Sequence, residues 1–146
     1  MPFQNGNATV SNRLLVIEDA NIHRTILCRI GEKVGFVPAA AASYAEAAVL
    51  LREWEFDCVT LDLSLGDRAG VEILRLLSEI KSRAPIIIIS GAEDTVRDES
   101  LRIGKSLNLN LCDPVPKPVD LAALRETLVR ISKQVDLQKL AGASAE

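Results

Sequence analysis

Five polar residues with chemically useful side chains each follow a short apolar run of this chain. They are Glu18, Asp19, Asp62, Ser90 and Lys117. If the apolar runs are parallel strands of one sheet, these side chains meet at the edge formed by the carboxyl ends of the strands. That edge would carry an acidic pocket for a cation, together with a nucleophilic carboxylate, a hydroxyl and an ammonium group.

The three carboxylates among these residues favour a divalent cation. Left alone in one cleft they raise one another's pKa, and an oxygen-seeking cation keeps them ionised. Mg²⁺ suits such a cleft because it keeps several waters and bridges carboxylates to phosphate oxygens. A carboxylate beside Mg²⁺ can attack a phosphoryl donor and become an acyl phosphate. Lys117 and Ser90 would then supply a charge and a hydroxyl for the phosphoryl oxygens.

Short apolar runs alternate with helical periodicities along the chain, which is typical of βαβ units on a parallel sheet. The alternation predicts an α/β fold, a flavodoxin-like doubly wound sheet of five parallel strands in the order 2-1-3-4-5 with five flanking helices. In this order the ligand site lies near the switch point between the first and third strands. The predicted strands are residues 13–17, 36–41, 56–63, 86–89 and 111–115.

Local signals mark where the helices begin and end. Ser43 followed by Glu46 forms a capping-box pattern, Gly35 ends the first helix, and Asp120 is placed to cap the last helix. Residues 92–110 have sparse apolar positions and an internal glycine, Gly104, which predicts a helix with a ragged second half.

Length and composition indicate one globular domain. The chain has 146 residues, so it can bury a sizeable core without disulfides. The domain is expected at residues 13–134, with a flexible segment at 1–12 and a polar, frayed tail at 135–146. Three widely spaced cysteines, each in an apolar pattern, are predicted to be buried reduced thiols: Cys28, Cys58 and Cys112.

Charge and hydropathy exclude several classes of partner. The net charge of −3 argues against nonspecific binding to nucleic acid, which needs a basic face. No apolar stretch approaches the ~20 residues of a membrane span, so no membrane insertion is expected. Residues 1–12 lack the layout of a signal peptide. These features favour a cytoplasmic protein.

Four ordered motifs together resemble the receiver domain of two-component response regulators, best known from the stand-alone chemotaxis regulator. The resemblance covers about residues 13–133 and includes Gly70, eight residues past Asp62. The motifs are LVIED at 15–19, LDLSL at 61–65, IISG at 88–91 and PKP at 116–118.

The resemblance implies a role for each residue of the acidic edge. Asp62 would be the phosphoacceptor, while Asp19 would bind Mg²⁺ directly and Glu18 would bind it directly or through a water. The backbone carbonyl of Ser64 would be a further metal ligand. For the phosphoryl group, the resemblance implies a hydrogen bond from Ser90, an ion pair with Lys117, and a cis peptide bond before Pro118.

The resemblance also implies partners. The phosphoryl group would come from a cognate histidine kinase or a histidine phosphotransfer protein, so the chain is expected to be a signalling domain rather than an enzyme, although it takes part in its own phosphorylation and dephosphorylation. The stretch after Lys117 is short, which predicts output through a downstream protein target or through onward phosphotransfer, and leaves the oligomeric state open.

The sequence departs from the familiar receiver pattern at several positions. The acidic pair is Glu-Asp instead of Asp-Asp, and Gly66 stands where a proline is common. The interval from Ser90 to Lys117 is longer than in the chemotaxis regulator, and Pro114 occupies the usual aromatic position. We expect an atypical output surface at 104–116.

Two alternatives of a different class remain. A haloacid-dehalogenase-type phosphatase also uses a strand-end aspartate and Mg²⁺, but it needs a second aspartate two residues on, where this chain has Ser64. A pseudo-receiver that only binds a partner would be favoured by a missing acceptor or metal residue, and none is missing. His23, the single histidine, is predicted on the exposed side of the first helix.

Overall fold

Strands and helices alternate along the residues described by the computed structural model, which are 11–65, 69–91 and 94–144. The strands are β1 (Asn12–Ile17), β2 (Phe36–Ala41), β3 (Cys58–Asp62), β4 (Ile86–Ser90) and β5 (Val115–Pro116). The helices are α1 (Asn21–Val34), α2 (Tyr44–Glu53), α3 (Ala69–Glu79), α4 (Asp94–Ser106) and α5 (Leu121–Ser144).

All strand pairs are parallel, and the sheet has the order β2-β1-β3-β4-β5. The predicted fold class and strand order are therefore confirmed. The order reverses direction between β1 and β3, and this is the switch point at which open α/β sheets bind ligands.

The sheet is buried on both faces, as the apolar strand sequences predict. Side chains alternate between the faces, so Ile86 and Ile88 of β4 join a core beneath α2 and α3, whereas Ile87 and Ile89 join a core beneath α1 and α5. All four isoleucines are at most 1% exposed. The central strands β1, β3 and β4 are thus covered on both faces where they lead to Glu18, Asp62 and Ser90.

Helix ends follow the predicted capping residues. The Ser43 side chain accepts a hydrogen bond from the backbone N–H of Glu46, and the Glu46 carboxylate accepts one from the N–H of Ala42. Gly35 ends α1 with φ of 109°, a left-handed conformation that glycine adopts without strain. Asp120 accepts a hydrogen bond from the N–H of Ala123 at the start of α5.

The fifth strand is not where the sequence predicts it. Residues 111–115 were expected to form it, but β5 contains only Val115 and Pro116, and Leu111 makes an isolated bridge to Ile86. Leu111 pairs with Ile86 and Val115 pairs with Ile89, so the chain has one more residue between these two pairs than β4 has. Pro114 falls within that interval and cannot donate a ladder hydrogen bond, which explains the interruption.

Helix α4 is more regular than predicted. It runs through Gly104 to Ser106, and the left-handed Asn108, with φ of 58°, follows it. A Cβ at Gly104 would lie 2.6 Å from a methyl carbon of Leu111, so the glycine allows the following segment to pack closely against the helix. The prediction of a ragged second half for this helix is therefore wrong. Gly104, which looked like a helix breaker, is a position where the helix packs closely against Leu111.

The prediction of a frayed tail at residues 135–146 is also wrong for the part that ends at Ser144. Helix α5 continues through this region, and Val135 is 6% exposed within the core beneath α1 and α5. The side chains of Asp136 and Lys139 hydrogen-bond to Asn12, which the sequence placed in a flexible segment but which belongs to β1. These contacts hold the end of α5 against the start of the sheet.

The three cysteines are free thiols, as expected. Cys58 is buried, but Cys28 and Cys112 are only half-buried, which corrects the prediction that all three lie in the core. Burial raises the pKa of each thiol. None of the helices in the described ranges is long and apolar enough to cross a membrane.

Candidate functional site

The strand register brings the predicted site residues to one end of the sheet. Ile17 pairs with Leu61, so Glu18 and Asp62 follow side by side, and Asp62 itself pairs with Ile89 in β4. Because β4 and β5 are also in parallel register, the backbone N–H of Lys117 donates to the carbonyl of Ser90, at 2.9 Å. The positions predicted from the ends of apolar runs are therefore neighbours.

Asp62 is the centre of this group and is fully buried. One carboxylate oxygen, Oδ2, lies 2.7 Å from the ammonium nitrogen of Lys117. The other, Oδ1, accepts hydrogen bonds from the backbone N–H of Ser64 at 2.8 Å and from its hydroxyl at 2.7 Å. The Lys117 ammonium also donates to the Ser64 hydroxyl, at 3.1 Å. Asp62, Ser64 and Lys117 thus form a closed ring of polar contacts.

Glu18 lies beside this ring and is 1% exposed. Its carboxylate accepts a hydrogen bond from the N–H of Ala20, at 3.0 Å. Burial, and next a hydrogen bond with Asp62, raise the pKa of Glu18 to about 7. Burial also acts to raise the pKa of Asp62, but hydrogen bonds with Glu18, Lys117 and Ser64 outweigh it and lower that pKa. The pair therefore favours a proton on Glu18 and a charge on Asp62.

The crowding of these carboxylates is the observation that fits a divalent cation. Glu18 and Asp62 each shift the pKa of the other, and Asp19 adds a smaller contribution that raises the pKa of Glu18 further. Carboxylate oxygens are ligands that Mg²⁺ accepts, and a cation would relieve their repulsion. Among the described residues, no group of three or more His, Cys, Asp and Glu side chains is already arranged as a metal site.

Arg24 is a site residue that motif spacing did not identify. Its guanidinium donates to the backbone carbonyls of Glu18 and Asp19, at 2.9 and 3.2 Å, and to the side chain of Asn21. These bonds fix the turn that carries the acidic pair. Arginine is a common residue in the first turn of a surface helix, where Arg24 lies in α1, so the sequence offered no signal for this role.

Ser90 is placed as predicted but makes no side-chain contact with the ring. Its hydroxyl is buried and has no hydrogen-bond partner among the residues that the structure describes. A buried hydroxyl without a partner is costly, and a ligand oxygen at the site would satisfy it.

His23 lies next to the site although it is exposed, as its helical phase predicts. Its Nδ1 is 3.8 Å from a carboxylate oxygen of Glu18, and its side chain is 61% exposed. The peptide bond between Lys117 and Pro118 is cis, as the resemblance implied. Gly66, the other noted departure in the loop after Asp62, lies outside the described residues.

An apolar cleft of about 520 Å³ opens beside the acidic residues. We call it the α1–α5 cleft, because its walls come from α1, the end of β4 and the segment that leads into α5. Its apolar lining consists of Ile26, Leu27, Ile89, Pro118, Val119 and Leu121. Glu18, His23 and Lys117 also line it, so apolar surface and polar site are continuous.

A doubly wound sheet with acidic residues and a lysine at the carboxyl ends of its strands belongs to the class of open α/β domains that bind ligands at the switch point. Residues 14–129 match the family model described as the response regulator receiver domain. The chain belongs to this family, whose members are signalling domains of two-component systems.

Proteins and solved structures of this family align with most of the chain. Chemotaxis protein CheY of Thermotoga maritima is 26% identical over 126 residues, which cover 85% of this chain and all of that protein. A response regulator from Colwellia psychrerythraea has a crystal structure that is 26% identical, with a TM-score of 0.74 over 86% of this chain and 99% of that one.

Other relatives are longer than the matched region. Regulator of RpoS from Escherichia coli is 28% identical over 118 residues, which are 80% of this chain but only 34% of that protein. The chain therefore spans about a third of the length of these relatives.

Proposed function

We propose that this chain is a phosphoryl-accepting switch in which Asp62 takes the phosphoryl group. The observation that carries the proposal is the buried Asp62 carboxylate, which is held charged by Lys117 at 2.7 Å beside a crowded Glu18. Family membership supports the same assignment.

In the proposed reaction, a carboxylate oxygen of Asp62 attacks the phosphorus of a phosphohistidine. The P–N bond breaks as the new P–O bond forms, and the histidine nitrogen leaves with the bonding electron pair and takes up a proton. The product is an acyl phosphate on Asp62. A small donor such as acetyl phosphate would react in the same way, with acetate as the leaving group.

Glu18, Asp19, Asp62 and the backbone carbonyl of Ser64 are the groups that would hold Mg²⁺. The cation would neutralise charge on the phosphoryl oxygens and so lower the barrier to transfer. Arg24 holds the carbonyls of Glu18 and Asp19, so the turn that presents this acidic pair is fixed before a ligand arrives.

Lys117 and Ser90 would detect the modification. Phosphorylation replaces the single negative charge of the Asp62 carboxylate by the two negative charges of an acyl phosphate, so the Lys117 ammonium gains a stronger partner than the carboxylate it contacts in the resting state. The buried Ser90 hydroxyl would gain its missing hydrogen bond from a phosphoryl oxygen. Both side chains follow β4 and β5, so their response would shift a pre-existing equilibrium of that edge of the sheet.

The phosphodonor is proposed to be a histidine kinase or a histidine phosphotransfer protein that docks at the α1–α5 cleft. The cleft is largely apolar, and it is also lined by Lys117, which lies 2.7 Å from Asp62. Leu121 in its wall is 46% exposed. A helix carrying the phosphohistidine could bury an apolar face there and place the phosphoryl group over the acidic pocket. The response would pass to a downstream protein or to a further phosphotransfer step.

The phosphatase alternative is disfavoured by the chemistry of residue 64. The Ser64 hydroxyl hydrogen-bonds to Asp62 and Lys117, and it cannot replace a carboxylate as general acid and base. A purely binding pseudo-receiver is disfavoured because acceptor, lysine and acidic pair are all present at one end of the sheet.

Incubation of the full chain with acetyl phosphate and Mg²⁺, followed by intact mass spectrometry, tests the proposal. We expect a gain of one phosphoryl group, which EDTA abolishes. The Asp62→Asn variant, which keeps the side-chain shape but loses the nucleophilic charge, should show no adduct. An adduct that persists in Asp62→Asn would overturn the assignment of Asp62.

A further inference from the structure

The hydroxyl of Ser64 has a position that the proposed phosphoryl chemistry does not use. It donates to Oδ1 of Asp62 at 2.7 Å and accepts from the Lys117 ammonium at 3.1 Å. Asp62 and Lys117 also contact each other directly, so the hydroxyl closes a three-residue ring. Ser64 therefore contacts both Asp62 and Lys117, two of the residues that phosphorylation would rearrange.

We propose that Ser64 is a positioning residue whose hydroxyl locks Asp62 and Lys117 in the resting state and weakens the binding of a divalent cation. The inference rests on the proposed function and adds to it a determinant of metal affinity. It concerns the side chain, whereas the family resemblance concerns only the backbone carbonyl of this residue.

The Asp62 carboxylate is already engaged by its neighbours in the resting state. Oδ1 accepts two bonds from Ser64, one from the backbone N–H and one from the hydroxyl, while Oδ2 contacts Lys117. A cation that binds Oδ1 must compete with the two Ser64 donors for its lone pairs, and a cation that binds Oδ2 meets the positive charge of Lys117 at 2.7 Å. Removal of the hydroxyl leaves the local N–H bond in place but frees one acceptor position on Oδ1.

The hydroxyl also acts on Lys117. The ammonium has two acceptors in the ring, Oδ2 of Asp62 and the Ser64 oxygen, and the second acceptor holds it over the carboxylate. A positive charge fixed there opposes a second cation. Without the Ser64 oxygen the lysine loses one of the two contacts that hold it, so repulsion of an incoming cation also falls.

Cation binding can be measured without phosphorylation by titrating the full chain with Mn²⁺ and following free Mn²⁺ by electron paramagnetic resonance. We expect Ser64→Ala to bind Mn²⁺ about five-fold more tightly than the wild type, the factor that corresponds to one hydrogen bond of ~1 kcal/mol. Ser64→Thr keeps the hydroxyl and should retain the wild-type affinity. Ser106→Ala is the matched control, because it removes a hydroxyl that bonds only to the backbone carbonyl of Ile103.

A kinetic measurement gives a second test. The concentration of Mg²⁺ that half-saturates phosphorylation by acetyl phosphate should fall about five-fold in Ser64→Ala, since the change acts on cation binding. Urea unfolding of each variant verifies that the comparison is between folded proteins.

Unchanged or weaker Mn²⁺ binding by Ser64→Ala would overturn the inference, and so would equally tight binding by Ser64→Thr. These outcomes differ from failure of the proposed function. If the wild type gains no phosphoryl group on Asp62, the proposed function fails, whatever the Mn²⁺ affinities are.

Discussion

Glu18 is the carboxyl group of the site whose pKa is raised by folding, whereas the pKa of Asp62 is lowered. The pKa of Glu18 is raised from 4.5 to about 7 by burial and by its contact with Asp62. A carboxyl group with a raised pKa binds a proton more tightly in the folded state than in the unfolded state. Its contribution to the free energy of unfolding is therefore full below about pH 4.5 and is lost as the pH rises to about 7.

Because the pKa of Glu18 is raised, the stability of the chain should depend on pH when EDTA removes metal ions. The free energy of unfolding of the wild type should fall, relative to that of Glu18→Gln, as the pH is raised from 4.5 through 7. Glutamine is the matched variant because it keeps a neutral side chain that can donate to Asp62 at every pH. Urea denaturation of both proteins across this range measures the difference.

Two outcomes would contradict this account of Glu18. A constant difference between the two proteins across the range would mean that the pKa of Glu18 is not raised in the folded state. A difference that changes only below about pH 4.5 would mean that its pKa is lowered. The ionisation of Asp62 does not contribute to this pH dependence. Its pKa is lowered from 3.8, so its contribution to the free energy of unfolding changes only below that pH.

At the scale of elements, helix α1 and the start of α5 form the surface that we assign to the phosphodonor. Ile26 lies in the α1–α5 cleft and is 36% exposed, so a charge there faces a docking partner but spares the core. We expect Ile26→Glu to slow transfer from a phosphorylated histidine phosphotransfer domain about ten-fold, the effect of losing one well-packed interface side chain. Labelling by acetyl phosphate should change less than about two-fold, because a small donor makes no use of the cleft.

Val49→Glu on α2 is the control for this experiment. Val49 is 55% exposed and belongs to a helix on the opposite face of the sheet. A phosphotransfer domain that labels the wild type should label Val49→Glu at the same rate. Equal inhibition by Ile26→Glu and Val49→Glu, or inhibition by neither, would contradict the assignment of the α1–α5 cleft as the docking surface.

Elements with strong local signals were predictable from the sequence. The apolar run of β4 and the capping residues Ser43 and Asp120 gave correct strands and helix starts, since short-range hydrogen bonds and burial on both faces determine them. The strand order followed from the alternation of elements. The acidic edge followed in turn from the strand order, because parallel strands present their carboxyl ends together.

The predictions that failed concern features that depend on contacts between residues distant in sequence or on local backbone geometry. The strand at 111–115 was misplaced because Leu111 is apolar for a different reason: it packs against Gly104. The tail after Gln134 looked polar, yet it is helical because Asp136 and Lys139 reach Asn12 at the start of β1. The ring of contacts through Ser64 was not predicted, because the sequence does not distinguish a serine hydroxyl that bonds to Asp62 and Lys117 from one that faces solvent.

Across the whole molecule, two polar clusters occupy opposite ends of the sheet. One surrounds Asp62 at the carboxyl ends of the strands. The other joins the last turns of α5 to the amino ends: Lys139 donates to Asn12 and lies 3.1 Å from the Asp57 carboxylate, which also accepts the N–H of Arg13. Apolar side chains make up most of the strands between the two clusters, so we expect the second cluster to act on stability and not on phosphoryl chemistry.

Lys139→Met tests this separation, because methionine keeps the apolar stem and the helix propensity but removes the ammonium. We expect the free energy of unfolding in urea to fall by about 1 kcal/mol, with an unchanged m-value, since the lost contacts are partly exposed. Lys133→Met, an exposed position on the same helix, should be nearly neutral. The rate of phosphorylation by acetyl phosphate should equal that of the wild type. A changed rate would mean that the end of α5 communicates with Asp62 through the sheet, and equal stability of the two variants would mean that the cluster at the amino ends does not hold the helix in place.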